Sequence, residues 1–191
     1  MARCPHCRQT YKPERMGQKC CKVIDCIIKA GQSRKAKEAE KQAKAERAAF
    51  KVRKEAAKQS KTLQAEAQAA INAYRRYQDI ASGHGCIDCG QPFEPQKPGG
   101  SVDAGHYLSR GSHPHLAFVE MNINAQKKNC NRPGGTTAAA HRLGMIARYG
   151  LAAVEALEAD TTPRRYRADD YRAIRDTYRA KLKELKHEQL I

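Results

Sequence analysis

The chain has 191 residues, with 36 Lys and Arg against 20 Asp and Glu, a net charge of +16. A field of that sign draws in polyanions, which favours nucleic acid over an anionic membrane surface as partner. No apolar run is long enough to span a bilayer and no signal-peptide core is present, so a cytoplasmic protein with no membrane partner is expected.

Aromatic residues are only 6% of the chain and Trp is absent, so the core is thin and needs staples. Eight cysteines are available. In a Lys-rich chain without a secretory signal they read as Zn2+ ligands rather than disulfides. Residues 1–31 form the first predicted domain, a cysteine-rich zinc ribbon. Cys4 and Cys7 give a C-x2-C pair, and two thiolates on one tight turn can grip one ion. Cys21 with Cys26 is the favoured second pair, although Cys20 competes with Cys21 and His6 offers an imidazole. Such a ribbon either contacts DNA or protein, or only makes the arm fold.

Residues 32–61 are rich in Ala, Lys, Glu and Arg and predict a basic helix, with Ser33 as its N-cap. It lacks a sustained apolar seam, so it is a linker or a rail along a phosphate backbone rather than a coiled coil. Residues 62–136 are the predicted core domain. In it Leu63, Ala67, Ala70, Ile71, Tyr74 and Tyr77 recur at helical intervals on one face, with Lys61, Arg75 and Arg76 off it. Gly83 to Gly85 breaks that helix. A second C-x2-C follows at Cys86 and Cys89, then a Pro- and Gly-rich loop over residues 91–100. Ser101 to Leu108 predicts one short strand and Leu116 to Val119 a second, with a turn between them that holds His113 and His115.

Residues 137–191 predict a helical region. Leu143, Ile146 and Ala147 mark one apolar stripe, and Leu151, Val154 and Leu157 another after Gly150. The last helix starts near Ala168-Asp169 and turns Tyr171, Ile174, Tyr178, Leu182 and Leu185 inward. The fold class expected is mainly α, with a small zinc-supported α+β core and long basic helices on either side.

The chemistry gathers between Cys86 and Asn131. Cutting a phosphodiester needs a base for the attacking water and positive charge for the oxygens that become more negative. His106 is a neutral imidazole near pH 7. Asp103 and Asn131 offer a carboxylate and an amide oxygen, which suit Mg2+ or Mn2+. Asn122 is placed to hydrogen-bond the loop that carries His106. Arg110 is a candidate clamp for phosphate oxygens. Cys86, Cys89 and Cys130 are candidate Zn2+ ligands, and Lys127, Lys128 and Arg132 are candidate DNA contacts.

The words Cys86-Ile87-x-Cys89-Gly90, Asp103-Ala104-Gly105-His106-Tyr107, Asn122-Ile123 and Cys130-Asn131 resemble the NinG (Rap) recombination proteins of lambdoid phages. The order of His106, Asn122 and Asn131 is similar to HNH, or ββα-metal, nucleases, and Asp103-x-x-His106 to phage endonuclease VII. The resemblance covers nearly the whole chain. It implies an HNH-like ββα-metal core, and a Mg-dependent endonuclease acting on branched double-stranded DNA such as Holliday junctions and D-loops. It also implies phage recombination proteins as partners. A junction offers two strands to cut, so a homodimer fits the task. Two departures stand out. Lys127 occupies the first position of the family's second C-x2-C, which leaves the core zinc one thiolate short, with His84 one substitute. Pro133 stands where relatives carry a basic residue or His. The rival expectation is a non-catalytic zinc-finger protein that binds DNA or recruits a recombinase. An RNA-binding adaptor is the weakest, since no recognition-module motif is present.

Overall fold

The computed structural model describes residues 1–93 and 101–188; most of the expected 91–100 loop lies outside them. The chain divides into two compact units, Met1–Lys58 and Gln59–Ile191. No helix among the described residues is long and apolar enough to cross a membrane.

In the first unit, strand β1 (Ala2–Arg3) pairs antiparallel with β2 (Thr10–Tyr11). Helix α1 (Ile24–Ala56) follows, with Asp25 in its first turn, where a negative charge meets the positive end of the helix dipole. It starts well before the expected Ser33 cap. Cys26 explains why: it is the helix's one buried residue and packs with Cys4 and Cys21. The helix therefore begins inside the cysteine cluster, and the expected ribbon and basic helix share one element. At about 1.5 Å per residue, α1 runs roughly 50 Å. Its polar surface is solvated, as its composition predicts.

The second unit starts with α2 (Ser60–Ala81). Leu63, Ala67, Ala70, Ile71 and Tyr74 are buried along it, as the periodicity predicts. Arg75, expected on the outer face, is buried too, together with Asp79. Strand β3 (Val102–His106) pairs antiparallel with β4 (Ile123–Lys127), with Asp103 opposite Gln126 and His106 opposite Ile123. The second strand is thus not Leu116 to Val119. Pro114 opens a 3-10 turn through Leu116 instead, and Leu116, Ala117 and Phe118 are buried in succession, which a half-buried strand does not allow.

Side chains alternate along a strand, so the β3–β4 ribbon has two unlike faces. Ala104, His106, Ile123 and Ala125 share one. It packs on α2, where Ile123 joins Leu63, Ala67 and Ile71. Asp103, Gly105, Asn124 and Gln126 share the other. That polar face meets α3 (Ala138–Tyr149), where the Asn124 Nδ2 group donates to Met145 Sδ at 3.2 Å. Thr137 caps α3 by accepting from the Ala140 N–H.

Two expected apolar contacts fail on α3 and on α4 (Leu151–Glu158): Leu143 and Leu151 are 67% and 49% exposed. The reason is a close approach. A Cβ on Gly144 would stand 1.7 Å from the Ile87 carbonyl oxygen, so α3 presses its glycine against that backbone. His141, Met145 and Arg148 then share the inward face, and Leu143 points away. Val154 and Leu157 are buried as expected, with Ile87, Leu116 and Met145. Helix α5 (Ala168–Glu188) begins where the sequence indicates and lies on α2, bringing Tyr171 into the α2 core and the Tyr178 ring within 5.4 Å of Tyr74.

Asp79 joins these layers. Its Oδ1 accepts from Arg75 at 3.0 Å, and its Oδ2 accepts from the Ala125 N–H at 2.7 Å and from Arg148 at 3.0 Å. Arg75 also donates to the Ile123 carbonyl and to the Tyr149 hydroxyl, and Arg148 to the Gly85 carbonyl, each at 2.9 Å. Removing one member of a buried ion pair strands the other charge. Asp79→Ala strands two guanidinium groups and one N–H, so it is expected to cost about 3–5 kcal/mol. Urea unfolding of the pair measures this, and a loss below about 1 kcal/mol would contradict the assignment.

Candidate functional site

Two turns in the chain are built alike. At the first, the Cys4 N–H donates to the Gln9 carbonyl, and the Arg8 N–H returns to the Cys4 carbonyl. At the second, the Cys86 N–H donates to the Gln91 carbonyl, and the Gly90 N–H returns to the Cys86 carbonyl. The fifth residue of each turn is left-handed, with φ 62° at Arg8 and 67° at Gly90. Glycine takes that conformation freely; Arg8 does not, and is the only described non-glycine residue with positive φ. The shared geometry points two thiols and several N–H groups at one point.

At the first turn, the sulfurs of Cys4, Cys7, Cys21 and Cys26 all lie within 4.8 Å of one another. Cys21 rather than Cys20 completes the set, and His6 is not in it. The Cys7 and Cys21 sulfurs are 3.6 Å apart. A tetrahedral zinc with bonds of ~2.3 Å sets its sulfurs about 3.8 Å apart, so the donor set fits. Backbone N–H groups of Cys21 and Cys7 hold the Cys4 thiol down to about 5, whereas burial and neighbouring sulfurs push Cys26 up to about 12. Four thiolates repel one another unless a cation lies between them, and a divalent ion answers that repulsion.

At the second turn Cys86, Cys89 and Cys130 form a three-sulfur group, with Cys89 and Cys130 3.8 Å apart. Exposed His84 does not belong to it. Lys127, at the missing fourth place, turns its ammonium to Gln91 Oε1 at 3.0 Å, and its backbone N–H donates to Cys86 Sγ at 3.2 Å. Both cysteine clusters can hold zinc, the second with its fourth position left to solvent or a ligand.

The remaining predicted residues lie on the ribbon and around it. Asn131 Nδ2 donates to Asp103 Oδ2 at 3.2 Å, so the carboxylate and the amide are adjacent as expected. His106 is not beside them. Three residues along a strand reverses the face, and its ring points toward α2. There His106 Nε2 lies 3.3 Å from the Ala117 carbonyl and 3.3 Å from Gln68 Nε2. The Ala117 carbonyl can only accept and the Gln68 amide N–H can only donate, so the two contacts draw the ring proton in opposite directions. Burial lowers the His106 pKa below its ordinary value, and the Arg110 charge adds to this against the opposing pull of the Ala117 carbonyl.

Asn122 fixes the loop that carries these groups. It is fully buried. Its Oδ1 accepts from the Leu108 N–H at 2.8 Å, while its Nδ2 donates to the Leu108 and Leu116 carbonyls at 3.0 and 3.1 Å. The Ala117 carbonyl that meets His106 lies on the same loop. Arg110 and Arg132 are exposed. The Lys128 N–H donates to the Ser101 carbonyl at 3.2 Å. His115 Nε2 is held 2.6 Å from the Asp160 carbonyl, a structural contact.

Three residues that the sequence did not single out meet on the polar face. Gln126 Nε2 donates to Asp88 Oδ2, and His141 Nδ1 lies 3.2 Å from Asp88 Oδ1. Gln126 and His141 are 3% and 7% exposed. Asp88 is the variable letter of a C-x2-C word, and Gln126 sits in a strand the sequence reading placed elsewhere. The only available signal was the alternation of Asn124 and Gln126 with Ile123 and Ala125.

A family model described as Bacteriophage Lambda NinG protein matches residues 1–188. Protein ninG of Salmonella phage P22 is 32% identical over 94% of this chain and 90% of its own length. Protein ninG of Escherichia phage lambda is 31% identical over 95% and 90%. The protein of the same name from Escherichia phage 933W is 34% identical over 72% of this chain and 65% of its own. No solved structure matches the chain significantly. With a family model spanning both cysteine clusters and strand β3, and relatives matching at nearly full length, this chain belongs to the NinG family.

Proposed function

We propose that this protein is a metal-dependent, structure-specific DNA endonuclease with an HNH-like core, acting on branched recombination intermediates in the cytoplasm of a phage-infected cell. The observation that carries the reading is the state of His106. Its ring closes the strand that also carries Asp103, and burial lowers its pKa so that the neutral, proton-accepting form prevails at pH 7.

The residues divide the work as follows. His106 takes the proton of the attacking water on its neutral ring. Asn122 holds the loop that sets the direction of the ring. Asp103 offers its carboxylate and Asn131, whose Nδ2 donates to that carboxylate, its Oδ1 on the Gly105 side, a donor set that suits a hard cation and not zinc. Mg2+ or Mn2+ bound there supplies positive charge against the charge that grows on the phosphodiester. Asp103 and His106 face opposite sides of β3, and β3 pairs only with β4 among the described strands. Its outer edge is therefore where one phosphodiester meets both faces. Arg110 offers a guanidinium to the same phosphate. Lys127, Lys128, Arg132 and the basic face of α1 attract the DNA arms, and a homodimer matches the two strands of a junction. Zn2+ in both cysteine clusters supports the fold. The separation of His106 from Asp103 also favours a second reading, a catalytically silent DNA-binding module. Incubating a synthetic four-way junction with protein, with and without Mg2+, decides between the two: cleavage supports the nuclease and binding alone the silent module.

His106→Ala is expected to lower junction cleavage by a factor of about 10² to 10⁴ while leaving binding unchanged. Only the neutral ring accepts a proton, and its pKa lies below the ordinary value. Cleavage should then be level near neutrality and fall on acidification with a midpoint below the usual histidine range. Wild-type speed in the variant would remove His106 from the mechanism.

Asp103→Asn and Asn131→Ala are each expected to raise the Mg2+ concentration needed for half-maximal cleavage, because each weakens or removes an oxygen donor. Identical metal titrations in both variants would place the cation elsewhere.

Elemental analysis of purified protein should find close to two zinc ions per chain. The three-thiolate site should lose its ion to a chelator before the four-thiolate site does. A metal-free protein that stays folded would overturn the zinc assignment.

A further inference from the structure

Gln126 is a buried residue with one end committed and the other open. Its Nε2 group must face Asp88 Oδ2, since a carboxylate can only accept. That fixes the orientation of the amide and turns Oε1 the opposite way. Oε1 is buried and has no hydrogen-bond partner among the described residues. An amide oxygen left so costs free energy, and such an atom suits a water or an ion as its partner.

The direction of Oε1 is set by Gly105. A Cβ at Gly105 would fall 1.7 Å from Gln126 Oε1 and 3.4 Å from Asn131 Oδ1. The Gln126 oxygen thus stands where a side chain at position 105 would begin. It shares that small space with the Asn131 oxygen, on the ribbon face that also carries Asp103. Gly105 leaves the space free because it has no side chain, and its backbone conformation is ordinary strand.

We infer that Gln126 supplies a third oxygen ligand to the hard cation held by Asp103 and Asn131, in the place that a side chain at position 105 would otherwise take. The inference rests on the cation site proposed above. Asp88 acts behind it as a positioning residue: its Oδ2 holds the Gln126 amide, and its Oδ1 lies 3.2 Å from His141 Nδ1 on α3. The cation then has one carboxylate and two amide oxygens from three separate segments, with the other positions filled by water and phosphate oxygens. Mg2+ and Mn2+ keep several waters in such sites.

The test is Mn2+ binding to the full-length, zinc-replete protein, read by electron paramagnetic resonance of free Mn2+ and independent of DNA cleavage. Gln126→Met keeps the length of the side chain and removes the oxygen. It is expected to raise the Mn2+ Kd about 10- to 100-fold, the range seen when groups supporting a metal site are removed. Gly105→Ala displaces the Gln126 oxygen and should weaken binding in the same direction. Circular dichroism and zinc content check that both variants are folded. A measurement without mutation stands beside them: in the wild-type protein, substoichiometric Mn2+ should broaden the side-chain amide NMR signals of Gln126 together with those of Asn131. An unchanged Kd in folded Gln126→Met, or broadening at Asn131 without Gln126, overturns the inference. If Mn2+ binding weakens as expected but no junction is ever cut, the ligand assignment stands and the nuclease reading falls. If junctions are cut with the wild-type Mn2+ requirement in Gln126→Met, the nuclease stands and Gln126 is not a ligand.

Discussion

The larger unit depends on one buried carboxylate. Asp79 ends the inward face of α2 and takes hydrogen bonds from α2 itself, from the backbone of β4 and from α3. A charge removed from water is tolerated only when its partners replace what water gave it. Here the partners belong to three different elements, so all three must be in place together. The ribbon cannot slide along α2 without breaking the bond from the Ala125 N–H. Nor can α3 roll without taking Arg148 away from both Asp79 and the Gly85 carbonyl. An apolar core of this size fills space but does not specify register as sharply. The polar network supplies register, and register decides which face of β3 His106 and Asp103 each occupy.

The same layering explains why the two halves of the reactive strand differ. The α2 side is apolar, and it desolvates His106 and keeps the ring neutral. The α3 side is polar, lined by Asn124, Gln126 and Asp88, and it suits groups that hold a cation. A five-residue strand thus carries an imidazole on one side and a carboxylate on the other, in unlike environments. The sequence reading placed His106, Asp103 and Asn131 in a single cluster. The period of a strand separates the first from the second, whereas Asn131 reaches Asp103 from the turn after β4.

Much of the chain was legible because its signals are local. Cys4, Cys7, Cys21 and Cys26 were readable from spacing, and the structure brings those four together. The α2 stripe and the start of α5 follow from periodicity and from an acidic first turn. The misreadings have a common cause. Arg75, expected on the outer face, turns inward because Ile123 and Tyr149 on other elements supply partners for it, and no pattern within α2 records that. Leu143 faces solvent because Gly144 must approach the Ile87 carbonyl, a constraint set by a turn more than fifty residues away. The second strand was sought at Leu116 to Val119 because that run is apolar. The true strand alternates Ile and Ala with Asn and Gln, and its polar half is buried against polar groups. Rules that equate inside with apolar fail where part of the core is built from polar groups that face one another.

The arrangement of Asp88 links the second cysteine cluster to the reactive strand. It lies between Cys86 and Cys89 in the chain, so the turn that aims those two thiols also aims its carboxylate at Gln126 and His141. The Cys86 sulfur, in turn, accepts from the Lys127 N–H at the end of β4, one residue beyond Gln126. An ion held in this cluster would therefore do more than close a loop. Holding the turn keeps Asp88 in place, and Asp88 orients the Gln126 amide toward Gly105. A three-thiolate site is a weaker hold than a four-thiolate one. That weakness falls on the turn that sets the polar face of the ribbon, whereas the complete site lies in the other unit, at the root of α1.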